Sequence, residues 1–177
     1  MSPGRREVLV LGAVGIAAAA AGFLAGPALL KLGESGEGEI PGAAGFQDLA
    51  GKVRTLGEWR GKILVCNFWA TWCAPCREEV PLLAAASRKY SPTGVEIVGI
   101  AIDNGPKVSE FAASLRIPYP ILLAETGGLA LMGQLGNSAG GLPYTVVADR
   151  NGKVIHRKLG AFRPAELDAL LDPLARG

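Results

Sequence analysis

The stretch Asn67-Phe68-Trp69-Ala70-Thr71-Trp72-Cys73-Ala74-Pro75-Cys76-Arg77 holds two of the chain's three cysteines, three positions apart. They follow directly on the run Ile63–Trp69, which is apolar except for Asn67. Such a run is too continuous for a half-exposed strand and predicts a central strand covered on both faces. From residue 74 to residue 89 the spacing turns helical, with Val80, Leu83, Ala84 and Ala86 as the inward positions. A cysteine that ends a central strand and opens a helix meets unpaired backbone N–H groups and the positive end of the helix dipole, both of which favour a thiolate. Cys73 holds that position. Cys76 follows one turn later on the same face, close enough to attack a mixed disulfide formed at Cys73. Pro75 lacks only an N–H that a first turn does not use, and it stiffens the pair. A structural disulfide closing so short a loop would constrain the unfolded chain little. A CxxC half-site for metal would lack its second pair. The spacing therefore points to redox exchange.

Working outward, 177 residues with 49% hydrophobic and 19% charged content suit one ordinary globular domain. A net charge of +2, with no basic patch interleaved with aromatics, argues against a nucleic-acid partner. Three cysteines and one histidine also argue against a disulfide-built scaffold or a closed zinc site. Residues 8–30 carry no charge and follow Arg5-Arg6. That length suits a bilayer-spanning helix of about 20 residues, with the arginines cytoplasmic and everything after Lys31 outside the cytoplasm. An uncleaved anchor is the expectation, and a cleaved signal is the alternative, because small residues fill positions 17–26. Gly4-Arg5-Arg6-Glu7-Val8-Leu9 is similar to a twin-arginine export signal, with Val10 where a lysine often follows. Gly33-Glu34-Ser35-Gly36-Glu37-Gly38-Glu39-Ile40-Pro41-Gly42 alternates Gly and Glu with nothing to bury and reads as a solvated linker. The expected organisation is a signal or anchor segment over residues 1–31, a flexible linker over 32–45 and a folded domain over 46–177. Within the domain, further strands are predicted at 95–102, 120–124, 144–148 and 153–159, and helices at 106–115, 126–134 and 164–174. Asp149-Arg150-Asn151-Gly152 supplies a hairpin turn. Alternating strands and helices closed by a hairpin and a terminal helix give an α/β sandwich with a mixed sheet.

Trp72-Cys73-Ala74-Pro75-Cys76 after Asn67-Phe68-Trp69-Ala70-Thr71 resembles the active site of the thioredoxin superfamily. The closer match is its membrane-anchored, TlpA/ResA-like branch of extracytoplasmic thiol-disulfide oxidoreductases. Gly51, Leu56, Trp59-Arg60-Gly61-Lys62, Arg77-Glu78-Glu79-Val80-Pro81 and Gly141-Leu142-Pro143-Tyr144-Thr145 extend the likeness over residues 46–174. The resemblance implies a thioredoxin-like α/β/α sandwich with a central mixed sheet. It also implies a cis bond between Leu142 and Pro143, a turn that lies against the Cys73 sulfur and leaves backbone open to an extended substrate. Trp72, Ala74, Pro75, Leu142, Pro143 and Tyr144 are then the substrate-binding surroundings, and Pro81 matches the family's kink proline. Where thioredoxin has a buried aspartate, this chain has Asn67, and Glu79 is the candidate to exchange the proton of the cysteine pair. Burial would raise its pKa. The plainer reading of Glu79 is a solvated helix glutamate, a role that suits Glu78.

The expected activity is reduction of protein disulfides on the periplasmic face of the bacterial inner membrane, by a monomer re-reduced through a membrane electron donor. Cys73 is the expected nucleophile and Cys76 the resolving thiol. The Cys73–Cys76 disulfide is the only redox group expected, with no metal or cofactor. Cytochrome c maturation and respiratory copper-site assembly are the settings the resemblance implies. No histidine or positive charge stands between the cysteines, which argues against a strong oxidant. A disulfide oxidant or isomerase is nonetheless an alternative. A copper-binding assembly factor of the Sco type is another, although such proteins use a wider cysteine spacing and a distal histidine, and His156 is the only histidine here. A peroxiredoxin-type thiol peroxidase fails because Ala70 stands where its threonine belongs. Cys66 reads as an inert buried thiol.

Overall fold

In a computed structural model, which describes residues 38–176, the chain runs in the order β1 (Gly45–Asp48), β2 (Val53–Thr55), β3 (Ile63–Trp69), α1 (Ala74–Tyr90), β4 (Val95–Ala101), α2 (Gly105–Leu115), β5 (Ile121–Leu123), α3 (Gly128–Gln134), β6 (Tyr144–Ala148), β7 (Val154–Leu159) and α4 (Pro164–Arg176). The expectations for residues 1–37, the signal or anchor and most of the linker, fall outside the described residues. The strands form one sheet in the order β2-β1-β5-β4-β3-β6-β7. β3, β4 and β5 are parallel, while β6, β7, β1 and β2 pair antiparallel, so the sheet is mixed.

All seven residues of β3 are buried, as its unbroken apolar run requires. Period-two alternation divides them between two cores. Ile63, Val65 and Trp69 pack on one face with residues of α1, α2 and α4. Leu64, Cys66 and Phe68 pack on the other with Leu131 and Met132 of α3 and with Leu56 and Trp59. Helices thus cover both faces, and the C-terminal end of β3 opens between them.

The N-terminal hairpin of β1 and β2 is an addition to the expected elements. Its strands are short and half-exposed, so they carry little apolar signal. Its turn nevertheless repeats the one between β6 and β7, which the sequence does announce. In Asp48-Leu49-Ala50-Gly51-Lys52, the Asp48 Oδ1 accepts from the Ala50 and Lys52 N–H groups. In Asp149-Arg150-Asn151-Gly152-Lys153, the Asp149 Oδ1 accepts from Asn151 and Lys153. Both put a glycine at positive φ, 81° at Gly51 and 86° at Gly152.

The expected linker is also too long. Residues 38–45 are docked on the domain: the Ile40 N–H donates to Gly152 O and the Val154 N–H to Gly38 O. Ile40 is buried against Leu56 and Trp59. The Gly-Glu alternation hides this, because a single isoleucine gives no periodicity to read. Ile40→Ala should cost about 2 kcal/mol, measured as a lower urea midpoint with an unchanged slope.

Candidate active site

Cys73 is the N-cap of α1, and Pro75 occupies its first turn. The two cysteines are joined by a disulfide with their Cα atoms 5.3 Å apart. The Cys76 N–H points at the Cys73 sulfur, 3.3 Å from Sγ. Helix formation from Ala74 onward therefore aims an otherwise unpaired donor at this one sulfur. Cys73 retains 7% of its surface and Cys76 1%, so the more open approach is to Cys73. Cys73 is thus largely buried rather than openly exposed. Trp72, at 66% exposure, stands beside it as the rim, and Ala74 and Pro75 are exposed around it.

The loop before Cys73 is tied down by a residue that sequence reasoning missed. Asp103 follows β4 and accepts through Oδ2 from the Thr71 N–H at 2.9 Å and from the Thr71 hydroxyl. Its Oδ1 accepts from the Asn104 N–H at 2.7 Å. Arg77 donates to the Thr71 carbonyl from the other side, at 2.8 Å. Burial acts to raise the Asp103 pKa, but the bonds from Thr71 and Asn104 outweigh it and hold the carboxyl below its ordinary value. Asp103→Ala should destabilise the protein by about 2 kcal/mol at neutral pH. Because the folded-state value is depressed, the Asp103 contribution is present above the unfolded-chain value of about 3.9. It fades as pH falls through the folded value, so the gap between parent and variant should close in acid.

The Leu142–Pro143 bond is cis. Phe68 pairs with Tyr144 across β3 and β6, which puts position 143 level with Trp69, where the strand leads into the Cys73 loop. Leu142 is partly buried against the core cluster that contains Cys73 and Cys76. The Pro143 carbonyl accepts from the Gly160 N–H at 2.8 Å, where Gly160 adopts φ of 93°. The expected place of Tyr144 beside the substrate is corrected. Strand alternation turns it to the opposite face, where it is buried beside Phe68 and donates to the Leu135 carbonyl at 2.7 Å.

Glu79 is buried at 2% exposure, whereas Glu78 is exposed. Its Oε1 accepts from the Phe162 N–H at 2.7 Å and its Oε2 from Asn67 Nδ2 at 3.0 Å. Asn67 also donates to Thr145 Oγ1 at 3.0 Å. Burial raises the Glu79 pKa against the lowering effect of Phe162, Asn67 and the Lys158 charge, with a further raising contribution from Glu166. Helical spacing puts Glu79 on the side of α1 that carries Cys76, with Cβ atoms about 5–6 Å apart. The loop after β7 thus binds both Pro143, through Gly160, and Glu79, through Phe162. Neither partner is legible in the chain, because both are backbone groups distant in sequence. Cys66 lies fully buried on the opposite face, its thiol pushed up to about 12.

A family model described as Redoxin matches residues 37–171. The thiol-disulfide oxidoreductase ResA of Bacillus cereus is 30% identical over 154 residues, covering 86% of this chain and 84% of its own. The thiol:disulfide interchange protein HelX of Rhodobacter capsulatus is 36% identical over 118 residues, 66% of this chain and 63% of its own. Among solved structures, a thiol:disulfide interchange protein of the thioredoxin family from Chlorobium tepidum TLS superposes with a TM-score of 0.71 at 25% identity. That match covers 80% of this chain and 99% of the other.

Proposed function

The chain belongs to the Redoxin family and is a thiol-disulfide oxidoreductase of ResA type with a thioredoxin-like fold, and on that footing we propose that it reduces protein disulfides outside the cytoplasm. Cys73 attacks and Cys76 resolves. The observation that carries the assignment is the asymmetry of the pair: Cys73 caps the helix, receives the Cys76 N–H and keeps the more reachable sulfur.

In the forward reaction the Cys73 thiolate attacks one sulfur of a substrate disulfide, forming a mixed disulfide and releasing one substrate thiolate, which takes up a proton. Cys76 then gives its proton to Glu79, and its thiolate attacks the Cys73 sulfur. The mixed disulfide breaks, the second substrate thiolate leaves, and Cys73–Cys76 becomes a disulfide. Two electrons pass from the cysteine pair to the substrate, so the pair is the redox group and the reaction needs no cofactor beyond it. Trp72, Ala74, Pro75 and the Leu142-Pro143 turn form the surface that an extended substrate segment meets.

The setting follows from the charge-free residues 8–30 behind Arg5-Arg6, which tether or export the domain, as a monomer, to the periplasmic face of the inner membrane. There a membrane electron donor must restore the dithiol after each turn. Cytochrome c maturation and assembly of respiratory copper sites supply substrates of the right kind, namely protein cysteines that must be reduced before they bind their group.

Direction is tested by the reduction potential of the Cys73/Cys76 pair in the full-length protein with Cys66→Ser. A value at or below the roughly −270 mV of thioredoxin supports a reductase. A value near the roughly −120 mV of a strong oxidant would reverse the direction.

A further inference from the structure

The loop from β7 to α4 is closed by an ion pair that the mechanism above leaves unused. Lys158 Nζ lies 2.7 Å from Glu166 Oε1, which joins the end of the strand to the first turn of the helix. The same Nζ stands over the Phe162 ring, 5.2 Å from its centre. Within the arc so enclosed, the Phe162 N–H donates to Glu79 Oε1 and the Gly160 N–H to the Pro143 carbonyl. Strand register brings the lysine toward the carboxylate by a second route. Lys158 pairs with Thr145 across β7 and β6, and Thr145 pairs with Asn67 across β6 and β3. Directly paired residues of antiparallel strands share a face of the sheet, so the three side chains form one row. Asn67 Nδ2 ends that row by donating to Glu79 Oε2 as well as to Thr145 Oγ1. The Lys158 side chain is 21% exposed and that of Glu166 37%, so solvent screens the pair only in part.

The two charges act on Glu79 with opposite signs. Burial has the largest influence on its carboxyl and raises the pKa; Phe162, Asn67 and the Lys158 charge lower it, and the Glu166 charge raises it. Glu166 is ionised at neutral pH, because the bond from Lys158 holds its carboxyl below the ordinary value. The other titratable groups around Glu79 are His156 of β7, whose ring centre lies 6.2 Å from that of Phe162, Cys76 of α1, and Tyr119 before β5, whose pKa burial and then the Glu79 charge raise. A group that takes a proton in each turnover works best with an affinity near the working pH, which calls for a cation to offset burial and an anion to limit that cation.

We infer that Lys158 is a positioning residue for the proton exchanged at Glu79, its ammonium favouring the carboxylate across the Phe162 loop, and that Glu166 is the counter-charge that limits this effect. The inference rests on the role given to Glu79 above. A mechanical clasp is the competing role for the pair. Opening a clasp from either end would loosen the Phe162 N–H, a bond that favours the carboxylate, and would therefore raise the Glu79 midpoint whichever partner is removed. An electrostatic role divides the two. Removing the cation raises the midpoint, whereas removing the counter-charge lowers it.

The test is a carbon-13 NMR titration of Glu79 in the oxidised full-length protein, where the joined cysteines do not titrate, for the parent, Lys158→Met, Lys158→Arg and Glu166→Gln. All four keep His156, so its titration is common to them. The pH dependence of mixed-disulfide resolution is measured on the same set. The expected results are a midpoint about half a unit higher in Lys158→Met and about half a unit lower in Glu166→Gln, the size of a partly screened charge pair, with the parent value kept by Lys158→Arg. The rising limb of the resolution rate should move with the midpoint in each case. A midpoint at or above the parent value in Glu166→Gln, or at or below it in Lys158→Met, overturns the inference. If Lys158→Met fails to fold, the sign in Glu166→Gln decides alone, since an opened clasp does not lower the midpoint. Midpoints that move as expected while the resolution profile stays fixed would support the hold of Lys158 on the carboxyl and refute instead the role of Glu79 as proton partner of Cys76.

Discussion

Cys73→Ser should lower disulfide-reducing turnover by about 10⁴-fold or more, while Cys76→Ser should accumulate a covalent complex with substrate. The two cysteines are only three residues apart, yet their surroundings separate their roles. Cys73 caps α1, accepts the Cys76 N–H and keeps the more accessible sulfur. Removing it leaves no group that can attack. Removing Cys76 leaves the attack intact and blocks release, so the mixed disulfide persists until an external thiol cleaves it. Non-reducing gels or intact-mass spectra of the two variants with a disulfide-containing protein substrate distinguish the cases. Trapping by Cys73→Ser in place of Cys76→Ser would exchange the assignments.

Glu79→Gln should slow resolution of the mixed disulfide by about 10²-fold, the usual contribution of a positioned proton acceptor, and leave the first attack nearly unchanged. The same substitution should stabilise the fold. Burial raises the folded-state pKa of Glu79 above the value of about 4.3 that a glutamate has in the unfolded chain. Below that unfolded value both states are protonated, and the group contributes nothing to pH dependence. As pH rises from there through the folded value, the unfolded chain releases its proton first, so the parent loses stability. The glutamine variant carries no such loss. Its advantage in denaturation midpoint should therefore grow with pH across that window and level off above it. A variant that is slower and also less stable at neutral pH would mean that the carboxylate holds the loop at Phe162 rather than serving the proton.

These predictions depend on residues of very different legibility. The cysteine pair, the buried strand before it and the helix after it follow from local pattern, because β3 is apolar throughout and α1 repeats at helical spacing. Glu79 can be proposed as buried, but the Phe162 N–H and Asn67 that hold it belong to distant elements. Tyr144 is misplaced by a reading along the chain because proximity to Pro143 in sequence says nothing of which face of β6 a side chain takes. Asp103 has only a faint signal: it follows the C-terminal end of a parallel strand beside the one that delivers Cys73, the edge at which α/β folds gather their sites. The packing over Gly99 has none, since a glycine inside a strand announces only that something approaches closely. What approaches is set by Trp69 and by Tyr119, on opposite sides of that glycine in the chain.

The central claim is that the helix start makes Cys73, and not Cys76, the reacting sulfur. Its most direct measurement is the pH dependence of alkylation of the fully reduced protein by a limiting amount of iodoacetamide, with the modified cysteine identified by peptide mass. The expected result is modification at Cys73 alone, with a midpoint below the ordinary thiol value of about 8.5. Modification first at Cys76, or at both at equal rates with an ordinary midpoint, would contradict it.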